Sequence, residues 1–190
     1  MPKAKTITSS ELRRVLAYIA TRKHAVRNRT MLLVTHLSGM RVGEVAALRY
    51  VDVLNSDGTL RTEIQLSPDQ TKGKHGRTVF VGTRLRKELS AYISAHPAID
   101  LKQAFFYTQK NPKFGFTANT LTQFFFHLYR SVGIDGASSH SGRRSFATAL
   151  SSRGVGVRVL MRAMGHRNIS TTIGYIDASD DMLRRAVELL

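Results

Sequence analysis

The 190-residue sequence has no cysteine, no tryptophan, only four prolines, and 13 acidic residues against 29 lysines and arginines. Without thiols there is no disulfide, no cysteine nucleophile and no thiolate-bound zinc or iron–sulfur centre. No apolar run approaches the ~18 residues of a membrane span, and residues 1–10 lack the apolar core of a signal peptide. No Gly-x-x-x-x-Gly-Lys-Ser/Thr run is present to cradle a nucleotide, and the seven histidines lack zinc-ligand spacing such as His-Glu-x-x-His. These absences point to a soluble, intracellular protein with neither a metal nor another cofactor.

What the sequence has in excess is positive charge, a formal +16 with a pI near 10.9. Residues 1–30 carry eight basic side chains against Glu11 alone, and residues 71–90 carry six against Glu88. Residues 161–190 balance four arginines with four acids. No basic amphipathic helix of the membrane-surface type stands out. A basic body with a neutral tail suggests nucleic acid on one surface, through phosphate contacts that weaken with salt, and protein contacts at the C-terminus.

The length fits one domain, and 42% hydrophobic residues can build a core. Thr8 and Glu11 have capping-box spacing, followed by Leu12, Val15, Leu16 and Ile19 at helical intervals. Further helices are expected over 27–37 and 42–48, and along Leu85–Ile93, which ends before Pro97. Others are expected along Leu121–Val132, over 141–152 with Phe146 and Leu150 inward, and along Val157–Met164 capped by Gly165. A helical turn is expected over 170–175, and a last helix over 180–190. Between them the period changes to two. Asn55–Gly58 is turn chemistry, Thr62, Ile64 and Leu66 alternate, and Lys72–Gly76 reads as a hairpin tip before a returning Thr78–Val81 strand. The fold class expected is mostly α, formally α+β, with a small antiparallel sheet, read as three strands, on one edge.

Against this apolar pattern stand Arg41 after a glycine turn, Lys72 at the hairpin tip, and His140 and Arg143 on one helix face. His166 follows the Gly165 cap, with Tyr175 nine residues beyond it. Taken singly, each is an ordinary polar residue. In their contexts they form four ordered boxes: Ser38–Leu48, Thr71–Val81, His140–Thr148 and Gly165–Tyr175. These resemble the arginine box, lysine-bearing hairpin, His-x-x-Arg box and terminal tyrosine box of the tyrosine recombinase (phage integrase) family. The resemblance covers about residues 8–190.

The resemblance implies site-specific cutting and rejoining of double-stranded DNA without metal or ATP. Tyr175 would attack the scissile phosphorus and form a 3′-phosphotyrosyl bond. Arg41 and Arg143 would hold the nonbridging oxygens of the transition state, and His166 would complete that cage. His140 would accept the tyrosine proton. Lys72 would protonate the leaving 5′-oxygen, an assignment over Lys74 that rests on family alignment alone. Glu44, three residues past Arg41, is either a carboxylate that orients it or an ordinary surface pair. Lys74, Arg77 and Arg144 are expected to contact DNA. Arg144 stands where the family often has histidine, and Gly174 is expected to loosen the Tyr175 segment.

The resemblance also implies a homotetramer on DNA, with helix 180–190 able to dock in a neighbouring protomer, a cytoplasmic, nucleoid-associated location, and accessory DNA-bending proteins as possible partners. Residues 1–190 are read as one catalytic domain, with no separate N-terminal DNA-clamping domain in this chain. Such a chain is either a fragment or a minimal recombinase. Two other readings share these residues, a non-cleaving DNA-binding regulator and a type IB topoisomerase-like relaxing enzyme.

Overall fold

The computed structural model describes residues 3–71, 73–108, 114–176 and 180–188. The Thr8 capping box forms: Thr8 Oγ1 accepts from the Glu11 amide at 3.2 Å, and the Thr8 amide donates to Glu11 Oε2 at 2.9 Å. It starts α1 (Ser9–Ala20), which buries Val15 and Ile19. Helix α2 (Ala25–Ser38) is the central element, burying Met31, Leu32 and Val34, and α1 packs on it. It stops at Gly39, whose φ of +63° favours glycine, and the Phe146 ring lies 2.5 Å from where a Cβ would sit.

Two short helices follow, α3 (Val42–Ala46) and α4 (Tyr50–Val53). Strands β1 (Glu63–Leu66) and β2 (Arg77–Phe80) pair antiparallel, with Ile64 opposite Val79 on the buried face. The described residues thus form a two-stranded sheet rather than the expected three. The chain before β1 is spent on the 55–58 turn, closed by a single bridge between Leu54 and Leu60, too little for a third ladder. Helices α5 (Thr83–Ala95) and α6 (Ala118–Ser131) complete the core around Tyr92, Phe105, Phe125 and Tyr129.

The last part of the chain carries most of the candidate chemistry. Helix α7 (Ser141–Ser151) packs against α2, and α8 (Val157–Met164) buries Leu160 and Met164. Helices α9 (Ile169–Ile173) and α10 (Asp180–Val187) follow. Phe146 and Leu150, expected inward, are half-buried. They line a surface groove of about 740 Å³ with Leu12, Leu16 and Leu37. Among the described residues no helix is long and apolar enough to cross a membrane.

Helices α2 and α7 touch through Gly142. A Cβ there would stand 2.0 Å from Thr35 Oγ1 and 2.8 Å from His36 Nδ1. Any side chain must push the helices apart, and with them Arg143 from the end of α2. Gly142→Ala is therefore expected to lower the unfolding free energy by about 2 kcal/mol or more, read from urea denaturation.

Candidate active site

Arg143 lies on α7, three residues into the helix, and is wholly buried. Its Nη1–H donates to the Gly39 carbonyl, and its Nη2–H donates to the Met164 carbonyl and to His166 Nε2, the last at 2.8 Å. The guanidinium is thus referenced to the ends of two helices, α2 and α8. Its Nε–H is buried with no partner among the described residues, a donor left in surplus. Burial, then the charges of Arg41 and Arg77, push its pKa down, while Glu44 opposes them. A buried guanidinium among others needs a counter-charge.

Glu44 supplies it. This carboxylate, 1% exposed, is the third residue of α3 and accepts from Arg41 Nη1–H at 2.9 Å and from the Arg41 amide at 2.7 Å. On its other side it accepts from Arg77 Nη2–H at 2.7 Å and Nε–H at 3.2 Å. Burial pushes its carboxyl up, but Arg77 and the Arg41 amide outweigh burial and hold it below the ordinary value. Glu44 is therefore not the exposed i,i+3 pair that the sequence also allowed. It fixes both Arg41 and the β-hairpin.

Arg77, expected to contact DNA, lies along the cleft described below and is held there by protein groups. Its side chain is buried, and its remaining Nη1–H donates to the Ala163 carbonyl at 2.9 Å. It packs where a Cβ on Gly165 would fall, 2.3 Å from Arg77 Cδ. Gly165 caps α8 at φ +60°, so both its conformation and its neighbour require glycine. The signal was in the sequence: residues 77, 79 and 81 alternate on one face, and Val79 and Val81 are core residues. Arg144 is likewise turned inward, with Nη1–H on the Gly174 carbonyl at 3.0 Å and Nε–H on Thr6 Oγ1 at 3.2 Å.

His166 follows the cap and is buried beside Arg143. Because an arginine can only donate, Nε2 must be the acceptor. The ring proton then sits on Nδ1, facing Thr172 Oγ1 at 2.9 Å. Burial, followed by the charges of Arg143, Arg41 and Arg77, pushes the His166 pKa down to about 4. Thr172, which fixes this tautomer, carried no signal in the sequence.

The ring packed against Tyr175 is that of His166, with centroids 5.3 Å apart, and Arg143 Cζ lies 5.8 Å from the tyrosine centroid. The tyrosine segment is held by backbone: its amide donates to the Thr172 carbonyl at 2.9 Å, and its carbonyl accepts from Thr148 Oγ1 at 3.4 Å. Gly174 takes an ordinary helical conformation, φ −59°, so the expected loosening is not expressed in its backbone. His140 caps α7 one turn before Arg143, with its ring exposed and its amide on Ser138 Oγ at 3.3 Å.

A cleft of about 580 Å³ runs past Arg41, Thr71, His75, His166 and Arg167. Thr71 Oγ1 closes the hairpin tip, donating to the His75 carbonyl at 2.8 Å and accepting from its amide at 3.1 Å. Lys72 lies outside the described residues. Lys74 is exposed at the tip with φ +50°. The structure thus joins Arg41, Glu44, Arg143, His166 and Tyr175, with the hairpin on the rim. Among the described residues no cluster of His, Asp or Glu could hold a metal ion.

The description "phage integrase family" belongs to a family model that matches residues 5–182. The tyrosine recombinase XerA of Pyrococcus furiosus is 27% identical over 184 residues, 97% of this chain and 61% of that protein. The tyrosine recombinase XerD of Ralstonia nicotianae is 28% identical over 173 residues, 84% of this chain and 51% of that protein. The chain thus spans little more than half the length of these relatives. A crystal structure of XerA recombinase superposes with a TM-score of 0.76 at 22% identity, over 100% of this chain and 63% of that one. The Tn1549 transposon integrase in complex with transposon right end DNA gives 0.74 at 19% identity, over 100% and 67%. At those identities the superpositions speak for the fold.

His166 gains a proton near its ordinary value of 6.5 when unfolded, and only near 4 when folded. Its contribution to stability is therefore complete above about pH 6.5 and is lost as the pH falls toward 4. Long-range ¹H–¹⁵N spectra at about pH 6 should show His166 neutral with its proton on Nδ1. A doubly protonated ring there would contradict the hydrogen-bond assignment.

Proposed function

Since the chain belongs to the phage integrase family, we propose that it cuts and rejoins double-stranded DNA at specific sites through Tyr175. The observation that carries this reading is the charge of the cleft. The guanidiniums of Arg41, Arg77 and Arg143 surround the single carboxylate of Glu44 and leave two positive charges in excess. A phosphodiester carries one negative charge, and its pentavalent transition state gathers about two on the nonbridging oxygens. A preformed pair of positive charges therefore favours the transition state over the bound substrate.

Tyr175 attacks the phosphorus, and the 5′-oxygen leaves as the phosphotyrosyl bond forms. That ester conserves the phosphodiester's energy, so a 5′-hydroxyl from another strand reverses the step and releases the tyrosine. Arg41 and Arg143 hold the nonbridging oxygens. His166 joins them once its Nε2 is released from Arg143 and carries a proton. A phenol with a reference pKa near 10 needs a proton acceptor, the role assigned to His140 at the exposed start of α7. Lys72, the lysine assigned by resemblance, protonates the leaving oxygen.

Strand exchange joins two duplexes with two cuts in each, so the working form is a homotetramer on DNA. Helix α10 leaves Leu183 60% and Val187 68% exposed. The groove between α1 and α7 offers an apolar floor of Leu12, Leu16, Leu37, Phe146 and Leu150, which suits the exposed Leu183 and Val187 of α10. We place α10 of one protomer in that groove of the next.

Two outcomes are expected. Nicked suicide duplexes with randomised cores should yield an SDS-stable protein–DNA adduct with the natural chain and none with Tyr175→Phe. An adduct from the Phe variant would remove Tyr175 as nucleophile, and relaxation of supercoiled plasmid without a paired site would indicate a topoisomerase-like enzyme. Leu183→Asp should abolish cooperative assembly in gel shifts while single-protomer binding persists, and unchanged cooperativity would exclude α10.

A further inference from the structure

The sequence suggests a phosphate contact for Arg144, and the structure turns its side chain inward onto protein groups. The side chain is buried and spans two segments of chain, Gly174 through its carbonyl and Thr6 through its hydroxyl, at 3.0 and 3.2 Å. Its neighbours on α7 act alongside it. Thr148 Oγ1–H donates to the Tyr175 carbonyl at 3.4 Å, and Ser145 Oγ accepts from the Ile7 amide at 2.8 Å. One side of α7 therefore grips the entering segment 6–7 and the tyrosine segment 174–175 together.

Gly174 shows why such a grip matters. Its φ of −59° is open to any residue, and an added Cβ would lie 3.5 Å from its nearest neighbour, an ordinary contact. Neither conformation nor space demands glycine, so what glycine adds is backbone freedom immediately before the tyrosine. A charge-assisted hydrogen bond onto that residue's carbonyl restrains the freedom at its source.

We infer that Arg144 is a positioning residue, a latch that holds the Tyr175 segment on its own α7 and couples it to the entering segment 6–7. The inference rests on the reading of Tyr175 as nucleophile. With the latch closed, the Tyr175 segment is anchored to the helix that carries Arg143, so the phenol is held near that guanidinium. With it open, Gly174 lets the tyrosine leave the guanidiniums. Movement of the entering segment shifts Thr6 and loosens the same guanidinium.

The test uses the 190-residue chain with Arg144→Ala, Arg144→Lys and Thr6→Val. Hydrogen exchange of peptides covering residues 169–176 should be about tenfold faster in Arg144→Ala, with Arg144→Lys and Thr6→Val intermediate. Amides of α2 and α5 should keep their protection. On the nicked duplexes captured by the natural chain, Arg144→Ala should form adduct about tenfold more slowly. Its affinity and salt slope should stay within about twofold of the natural chain's. Unchanged exchange at 169–176 overturns the latch. So does a loss of affinity with a shallower salt slope, which would make Arg144 a phosphate contact. Faster exchange in the variant, with no adduct from the natural chain, keeps the latch and refutes Tyr175 as the nucleophile.

Discussion

One buried carboxylate makes the site possible. Arg41, Arg77 and Arg143 come from a helix start, a strand and a helix interior, and their like charges would drive these elements apart in a medium of low dielectric. Glu44 binds two of them directly and, among the described residues, is the opposing charge close to all three. Because it accepts from Arg41 on one side and Arg77 on the other, the α3 box and the β-hairpin are locked to a single anion. The site thereby keeps an unneutralised positive charge in a fixed place, a preset field that water cannot provide without reorganising.

Around that charge, orientation is set by main-chain carbonyls. Those of Gly39 and Met164 fix Arg143, that of Ala163 fixes Arg77, and that of Gly174 receives Arg144. Each belongs to the end of a helix, where carbonyls lack intrahelical partners and the negative end of the dipole favours a cation. The helix ends and the arginines satisfy one another. The same arrangement keeps His166 neutral, because three nearby cations and burial disfavour a fourth charge.

Much of the architecture was legible in the chain. Thr8 and Glu11 announced α1, the Gly39 and Gly165 stops marked α2 and α8, and the alternation at 62–66 and 78–81 marked the sheet. Among the described residues a third strand is not formed, because a four-residue turn consumed the segment available for it. That protein groups hold Arg77 and Arg144 was not legible, for one reason: long cationic side chains are normally solvated, and only partners distant in sequence make their burial tolerable.

The residue types and their order by themselves determined the family, the set of chemically apt side chains and the excess of positive charge, since periodicity, caps and boxes are local properties of the chain. Only the tertiary structure decided which guanidiniums face inward, that Glu44 is shared, that His166 carries its proton on Nδ1, and that the Tyr175 segment is tied to α7. Each of these depends on contacts between residues far apart in the sequence, and burial and charge balance exist only once the chain has folded.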